Sequence, residues 1–406
     1  MRIGILTQYY PPEMGAPQAR LSHLAEQFVR RGHEVVVLTG MPNYPTGRVF
    51  PGYGGLWRRE DRAGVSVVRC ALYPTQRTSL VPRLASYFSF VLSSLLIGAF
   101  ALRKLDYLIT ESPPLFLGLS GYLLSRRSGA RWIFNVSDLW PESAVRLGVL
   151  RDGASLRAAY ALEAFCYRKA WLVSGQSQEI LADVARRFPE VATYHLSNGV
   201  DTDMFRPDLR SDDQRGRLMG AGAPEGGCLA VYAGLHGIAQ GLDQILEAAA
   251  LVRNGGLRIL LVGDGPEKER LVEEGRRLGL TNVRFLEPLG RNDMPSLMAS
   301  ADIALVPLRL HIPGAVPSKL YEAMGAGVAV ILVADGEAAQ VVRETGAGVV
   351  VAPGDVKALA DSMEGLARDP GRRRTMAQAG RAGALAGFDR RTIADRFIGH
   401  LEERAC

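Results

Sequence analysis

Cysteine is scarce in this chain of 406 residues. The four present, Cys70, Cys166, Cys228 and Cys406, are far apart, with no Cys-x-x-Cys and no Cys/His cluster. That excludes a disulfide framework and a structural zinc site, and it fits a reducing compartment. Lysine is nearly as rare, with 5 against 43 arginines. A mean hydropathy of only +0.04 excludes a polytopic membrane protein. What remains is ordinary globular usage, 47% hydrophobic and 22% charged, which excludes disorder, collagen and coiled coil as overall descriptions. The chain opens Met-Arg-Ile-Gly-Ile-Leu-Thr, a strand at once, so no secretory signal is expected.

The length predicts two domains. The formal charge is +6, but residues 1–170 carry 21 Lys+Arg against 11 Asp+Glu, and residues 171–406 carry 27 against 31. A basic first half points to an anionic partner there.

Short β-branched runs alternate with helical stretches. The runs fall at 2–8, 35–40, 65–70, 107–110, 132–138, 171–177 and 194–198. In the second half they fall at 229–234, 258–264, 283–289, 303–308, 328–333 and 348–352. They are apolar on both faces, as parallel strands covered by helices must be. At 15–31 Leu21, Leu24, Ala25 and Phe28 form one helical stripe, and Gly32 supplies the stop. The expected fold class is α/β, two Rossmann-like doubly wound parallel-sheet domains facing across a cleft. Residues 1–205 form the first, 206–227 a polar, Gly-rich linker, and 228–385 the second. Residues 386–406 form a final helix crossing back to the first, with Ile393, Phe397, Ile398 and Leu401 as its apolar side.

One segment is anomalous. Residues 84–102 are 19 in a row without a charge, ending at Arg103 and Lys104. The length reaches the lower range of a membrane span. Spanning conflicts with strands on either side that belong to one sheet. Two readings stay open: a helix buried in the domain, or one at its edge with Phe88 and Leu92 dipping into the lipid interface.

In such domains ligands bind beyond the carboxyl ends of the strands. Three loops stand there. The first runs from Tyr9 to Ala16, where Gly15 opens a helix and permits close approach of a phosphate; the alternative is a plain Pro-rich loop. It lacks GxGxxG, so a dinucleotide cofactor is disfavoured. The second is Gly263-Asp264-Gly265-Pro266, weak by itself. The third is Pro317-Ser318-Lys319-Leu320-Tyr321-Glu322. Its helix start, with Lys319 in the first turn, makes an anion site. Glu322, one turn on, suits paired hydroxyls; the alternative is a solvated ion pair. Asp201-Thr202-Asp203 spells a metal motif, but its place in a loop argues against metal. Asn135-Val136-Ser137 spells a glycosylation sequon in a buried strand.

The ordered set Ser197-Asn198-Gly199-Val200-Asp201, Gly263-Asp264-Gly265-Pro266, Val283–Leu286 into Ala299-Ser300-Ala301-Asp302-Ile303, and Glu322-Ala323-Met324-Gly325-Ala326-Gly327 resembles glycosyltransferase family 4. The resemblance covers nearly the whole chain. Pro42-Asn43-Tyr44-Pro45-Thr46-Gly47 and Asp138-Leu139-Trp140-Pro141-Glu142-Ser143 resemble its bacterial branch that builds surface polysaccharide, the L-fucosamine transferase type. The resemblance implies the GT-B fold and a retaining reaction. It makes Glu322 the second Glu of a Glu-x7-Glu motif, a ribose ligand, with Gly314 where the first Glu belongs. The diphosphate loop would be 234–241, with Gln240 in place of a Lys, no Arg, and His236 facing the donor. Ser318, Lys319 and Gly265 would complete the donor site. Ser137 and Asp138 stand where relatives have a His and its neighbour, leaving Asp138 and Glu142 as acidic candidates by the acceptor.

The implied function is transfer of a sugar from a nucleotide-diphosphate sugar, UDP before GDP, to a lipid-linked acceptor on a polyprenyl diphosphate. Lys319 would stabilise the leaving diphosphate. Double displacement through Asp138 is an alternative, as are a non-catalytic sugar-nucleotide-binding scaffold and a UDP-sugar epimerase. No cofactor, metal or nucleic acid is expected. The expected location is cytoplasmic, peripherally associated with the inner membrane, where Phe88, Leu92, Arg103 and Lys104 touch membrane or acceptor.

Overall fold

The computed structural model describes all residues except 45, 76–79, 147–152, 221–225, 254 and 406, with only the backbone of 80, 81 and 83. Two compact units result, Met1–Asn198 with Arg390–Cys406, and Gly199–Asp389.

The first unit runs β1 (Arg2–Leu6), α1 (Ala16–Arg30), β2 (Glu34–Gly40), β3 (Trp57–Arg62), β4 (Val65–Cys70), α2 (Leu80–Ala101) and β5 (Tyr107–Ser112). It continues α3 (Leu117–Ser128), β6 (Arg131–Val136), α4 (Glu142–Arg146), α5 (Ala154–Lys169), β7 (Leu172–Gly175), α6 (Gln178–Arg187) and β8 (Thr193–His195). Its sheet has the order β3-β4-β2-β1-β5-β6-β7-β8. Only β3 is antiparallel to its neighbour. The expected apolar runs account for the other seven strands. β3 was not expected: its sequence Trp-Arg-Arg-Glu-Asp-Arg is polar and largely exposed, as an edge strand can be. A two-residue turn at Ala63 and Gly64, both at positive φ, joins it to β4.

The second unit begins with α7 (Asp212–Met219), then β9 (Cys228–Ala233), α8 (Asp243–Leu251), β10 (Leu257–Val262), α9 (Lys268–Arg277), β11 (Val283–Leu286), α10 (Met294–Ala299) and β12 (Ile303–Pro307). Then come α11 (Ser318–Gly325), β13 (Ala329–Val333), α12 (Gly336–Thr345), β14 (Gly348–Val351), α13 (Val356–Arg368), α14 (Pro370–Gly383) and a π-turn at Ala384–Phe388. Its sheet is wholly parallel, ordered β11-β10-β9-β12-β13-β14. The chain winds outward from β9 to β11, then jumps back to β12. The switch point therefore lies between β9 and β12. In the first unit it lies between β1 and β5.

The division differs from the expected 205/206 and 227/228. The chain leaves the first unit at Asn198 and re-enters it at Arg390. Of the expected linker 206–227, residues 221–225 lie outside the described residues, and the part before them is tied to the second unit. Asp302 binds Arg210 (3.1 Å), Arg215 (2.6 Å) and the Leu229 amide (2.8 Å), which ties α7 to β9 and β12. α7 is held mainly by charge and buries only Met219, so it shows no apolar period.

α15 (Arg390–Ala405) does return to the first unit. Ala394, Phe397, Ile398 and Leu401 are buried against the core of α1 and β1. Phe397 lies 6.5 Å from Phe28 and 5.1 Å from Tyr194, ring to ring. α1 ends as expected: Gly32 sits at φ 81, and the His33 amide donates to Phe28 O. Phe397→Ala should destabilise the first unit by about 3–5 kcal/mol, the usual cost of emptying an aromatic core site. Urea unfolding of the full chain measures it; a loss below 1 kcal/mol would mean that α15 does not hold the core.

Candidate functional site

In the second unit, the loops after β9, β10 and β12 meet at the switch point. A Cβ on Gly263 would lie 1.9 Å from Gly234 O, and one on Gly265 would lie 2.5 Å from His236 O. Both glycines have φ near the left-handed edge, 142 and 154. The two loops thus touch backbone to backbone, and only glycine fits. The His236 amide donates to Asp264 O (2.8 Å), and the Glu267 amide donates to His236 O (3.0 Å).

Gly234 has a second role. A Cβ there would fall 2.3 Å from Lys319 Cε and 2.6 Å from Nζ, so its bareness makes room for that side chain. Lys319 follows the first residue of α11, whose N-cap is Pro317. Its ammonium lies 5.5 Å from the centre of the Tyr232 ring, a cation–π contact. Among the described residues it has no hydrogen-bond or ion-pair partner. Burial lowers its pKa, opposed by Glu322 one turn away. The Glu322 carboxylate also has no hydrogen-bond partner among the described residues. A free ammonium, a free carboxylate and a helix N-terminus therefore stand together at the carboxyl end of the sheet, an arrangement suited to a polar anionic ligand.

His236 does not fit its expected role. The side chain is completely buried, packed near Tyr232 (5.9 Å) and Phe285 (6.3 Å), and neither ring nitrogen has a hydrogen-bond partner. Burial, then nearby Lys268, lowers its pKa. The imidazole is a wedge between the β9 and β10 loops, closed to solvent. Gln240 ends a 3-10 turn, Ile238–Gln240, with Oε1 buried and unpaired. That loop gets its cation from elsewhere: Arg309, after β12, donates through Nε to Ile238 O (3.0 Å) and through Nη2 to Asp243 (2.7 Å). Sequence reading missed Arg309, which is distant from the loop in the chain.

In the first unit the loop after β1 is fastened by Glu13. Its carboxylate accepts from the amides of Asn43 (2.8 Å), Tyr44 (2.8 Å) and Tyr10 (3.2 Å), joining two of the sequence motifs. Burial raises its pKa against those three amides. Gly15 is the exposed N-cap of α1, which has no side-chain cap and no acidic residue in its first turn.

Asp138 follows β6. Its Oδ2 accepts from Ser143 Oγ at 2.8 Å, and burial raises its pKa. Glu142 is already engaged, by Arg146 Nε at 3.0 Å and by the Tyr160 hydroxyl at 2.9 Å. Beside Asp138, Ser137 joins a buried network that sequence reading missed. Arg20 of α1 donates to Glu111 (2.6 Å), Ser137 Oγ (2.7 Å) and Asn198 Oδ1 (2.8 Å). Asn135 Nδ2 donates to Glu111 (2.5 Å), and Ser174 Oγ donates to Asn135 Oδ1 (2.7 Å). The sequon asparagine is thus a buried network member. Arg20 and Glu111 are almost fully buried. The only signal was a charged residue beside Leu21 on the buried side of an otherwise amphipathic helix.

The Asp201 carboxylate accepts the amides of Asp203 (3.1 Å) and Met204 (3.0 Å). Among the described residues no group of three or more His, Cys, Asp or Glu is placed to hold a metal.

α2 resolves the ambiguity of the apolar segment. Ser86, Phe90, Ser94 and Leu102 face inward, while Phe88 (45% exposed), Leu92 (60%), Leu96 (61%) and Phe100 (70%) form one outward row. The helix is neither buried whole nor free. Arg103 covers the end of the row, 5.8 Å from the Phe100 ring, and Lys104 is exposed beside it.

Residues 15–199 match the family described as glycosyl transferase 4-like domain, and residues 221–383 match glycosyl transferases group 1. The two matches take in most of both units. WcaI of Escherichia coli K12, named for colanic acid biosynthesis glycosyl transfer, is 28% identical over 88% of this chain and 90% of its own. A GDP-mannose-dependent phosphatidylinositol monomannoside mannosyltransferase of Mycolicibacterium smegmatis is 28% identical over 98% and 99%. The structure of Anabaena HepE with UDP and glucose has a TM-score of 0.73 at 21% identity, over 99% of this chain and 100% of that one. The chain is a glycosyltransferase of GT-B architecture.

The Arg20–Glu111 pair yields a stability test. Arg20→Ala leaves a buried carboxylate unpaired, and should cost about 3–5 kcal/mol. Arg20→Met with Glu111→Leu should recover much of that loss. Equal unfolding midpoints for Arg20→Ala and wild type would show the network to be slack.

Proposed function

We propose that the protein is a retaining glycosyltransferase of the L-fucosamine transferase type. It moves a sugar from a UDP-sugar to an acceptor on a polyprenyl diphosphate, during surface polysaccharide biosynthesis at the cytoplasmic face of the inner membrane. One observation carries the donor side: the ammonium of Lys319, without a hydrogen-bond partner among the described residues, beside Gly234 at the start of α11. A nucleotide diphosphate accepts from that ammonium. Glu322 takes the ribose hydroxyls, and the amides from Ser318 onward add to Lys319. HepE, solved with UDP and glucose, supports UDP. The GDP-mannose-dependent relative makes GDP-sugars the control. WcaI supports surface polysaccharide as the product class.

In the reaction the bond from the anomeric carbon to the diphosphate oxygen breaks, and a bond to the acceptor oxygen forms on the same face. Lys319 and the helix amides hold the charge that develops on the leaving group. The acceptor proton passes to a leaving phosphate oxygen. Asp138 orients the acceptor hydroxyl. On the acceptor side the basic first unit meets a phosphorylated lipid, and the outward row of α2 meets the bilayer.

Glu322→Ala should weaken UDP-sugar binding by about 1.5–3 kcal/mol, the worth of a charged hydrogen bond. Lys319→Ala should lower kcat more than it raises the donor Kd. Calorimetry and single-turnover kinetics measure both, and wild-type values in either variant would remove that residue from the site. Leu92→Asp should release the protein from anionic vesicles without unfolding it. Undiminished co-sedimentation would contradict membrane contact through α2.

A further inference from the structure

Between the outward row of α2 and Asp138 lies a strip of aromatic rings that the donor chemistry does not use. Phe116, just before α3, has its ring 4.7 Å from Phe88 and 6.5 Å from Tyr87, both on α2. On its other side it meets Trp140 edge-on at 5.8 Å. Trp140 is tied to the acidic candidate, its amide donating to Asp138 O at 2.8 Å. Phe116 follows β5 and Trp140 follows β6, so both stand at the carboxyl edge of the sheet, where a substrate belongs. None of the four rings is fully buried. Three separate elements thus combine to keep a line of aromatic surface in contact with water, an expensive arrangement unless something apolar covers it.

Two further features say what covers it. The strip is continuous with Leu92, Leu96 and Phe100, and Leu123 of α3 is exposed as well. α2 and α3 contain no acidic residue. Their far ends gather Arg103, Lys104, Arg126 and Arg127, with Arg127 Nε bonded to Ala99 O at 2.9 Å. The basic ends suit an anionic bilayer surface, and an apolar path that leads from the acceptor side toward them fits a lipid whose chain must reach that bilayer.

We infer that the Trp140–Phe116–Phe88 strip is the track for the prenyl chain of the acceptor. The isoprene units nearest the diphosphate run from beside Asp138 over the three rings, and the rest continue along the α2 row into the bilayer. This rests on the lipid-linked acceptor proposed above. It adds that the protein reads the chain as well as the sugar, and it separates two apolar surfaces: the strip binds one lipid, while the row binds the membrane.

Soluble prenyl diphosphates test it without knowledge of the acceptor sugar. In the wild type, affinity by calorimetry should climb several-fold from dimethylallyl to geranyl to farnesyl diphosphate, with inorganic diphosphate weakest. Phe116→Ala and Trp140→Ala should each reduce farnesyl diphosphate affinity about tenfold, and Trp140→Phe should keep it. Leu96→Asp should lose anionic vesicles yet hold farnesyl diphosphate. A flat chain-length series in the wild type overturns the track whatever the variants do, and so does unchanged farnesyl diphosphate binding by folded Phe116→Ala. Transfer of sugar to a lipid extract by the wild type, alongside a flat series, would leave the proposed function standing and remove only the track. Failure of such transfer with every donor, alongside a rising series, would point the other way.

Discussion

An ammonium that is half-buried without a hydrogen bond is costly to hold. Lys319 is held that way, with only Glu322 one turn off to balance it, and the loop after β9 makes room for it. Gly234 gives up its side chain to make the space. Tyr232 offers only a ring face. Gly263 lets the β10 loop close onto Gly234, and Pro317 starts α11 so that its first amides point to the same place. The acidic balance of this half of the chain is no obstacle, because the field that an anion meets is local. An anionic ligand fits there, and the residues around it lie within the stretch 221–383 that matches glycosyl transferases group 1.

The first unit has the opposite character. Its buried Arg20 is paired with Glu111, and its buried Arg69 with Glu60. Arg20 and Glu111 draw α1 and the ends of β5 and β6 together, with Asn198, where the chain leaves the unit, in the same network. That polar centre is bordered by aromatic rings and then by the outward row of α2. A substrate with a sugar, a diphosphate and a long hydrocarbon chain needs those three environments in that order.

Much of this was legible from residue order. Parallel strands buried on both faces leave apolar runs, and thirteen such runs became thirteen strands. β3 escaped because an edge strand need not be apolar. α7 escaped because Asp302 and two arginines hold it, and ion pairs have no period. That Lys319 and Glu322 are neighbours was readable because they stand one turn apart on α11. Arg309 and the Arg20 network were not, since each joins residues far apart in the chain. His236, expected to face the donor, is instead fully buried in this structure. The two loops meet too closely for the expected orientation, and the ring became their filling.

Sugar transfer to a lipid is the central claim. The most direct measurement follows radiolabelled UDP-sugars, with GDP-sugars as controls, incubated with the purified protein and bacterial membranes. The account predicts label in the organic extract, released by mild acid as a diphosphate-linked sugar should be, and carrying the anomeric configuration of the donor. Label that stays in the aqueous phase with every donor, or a lipid product of inverted configuration, would contradict it.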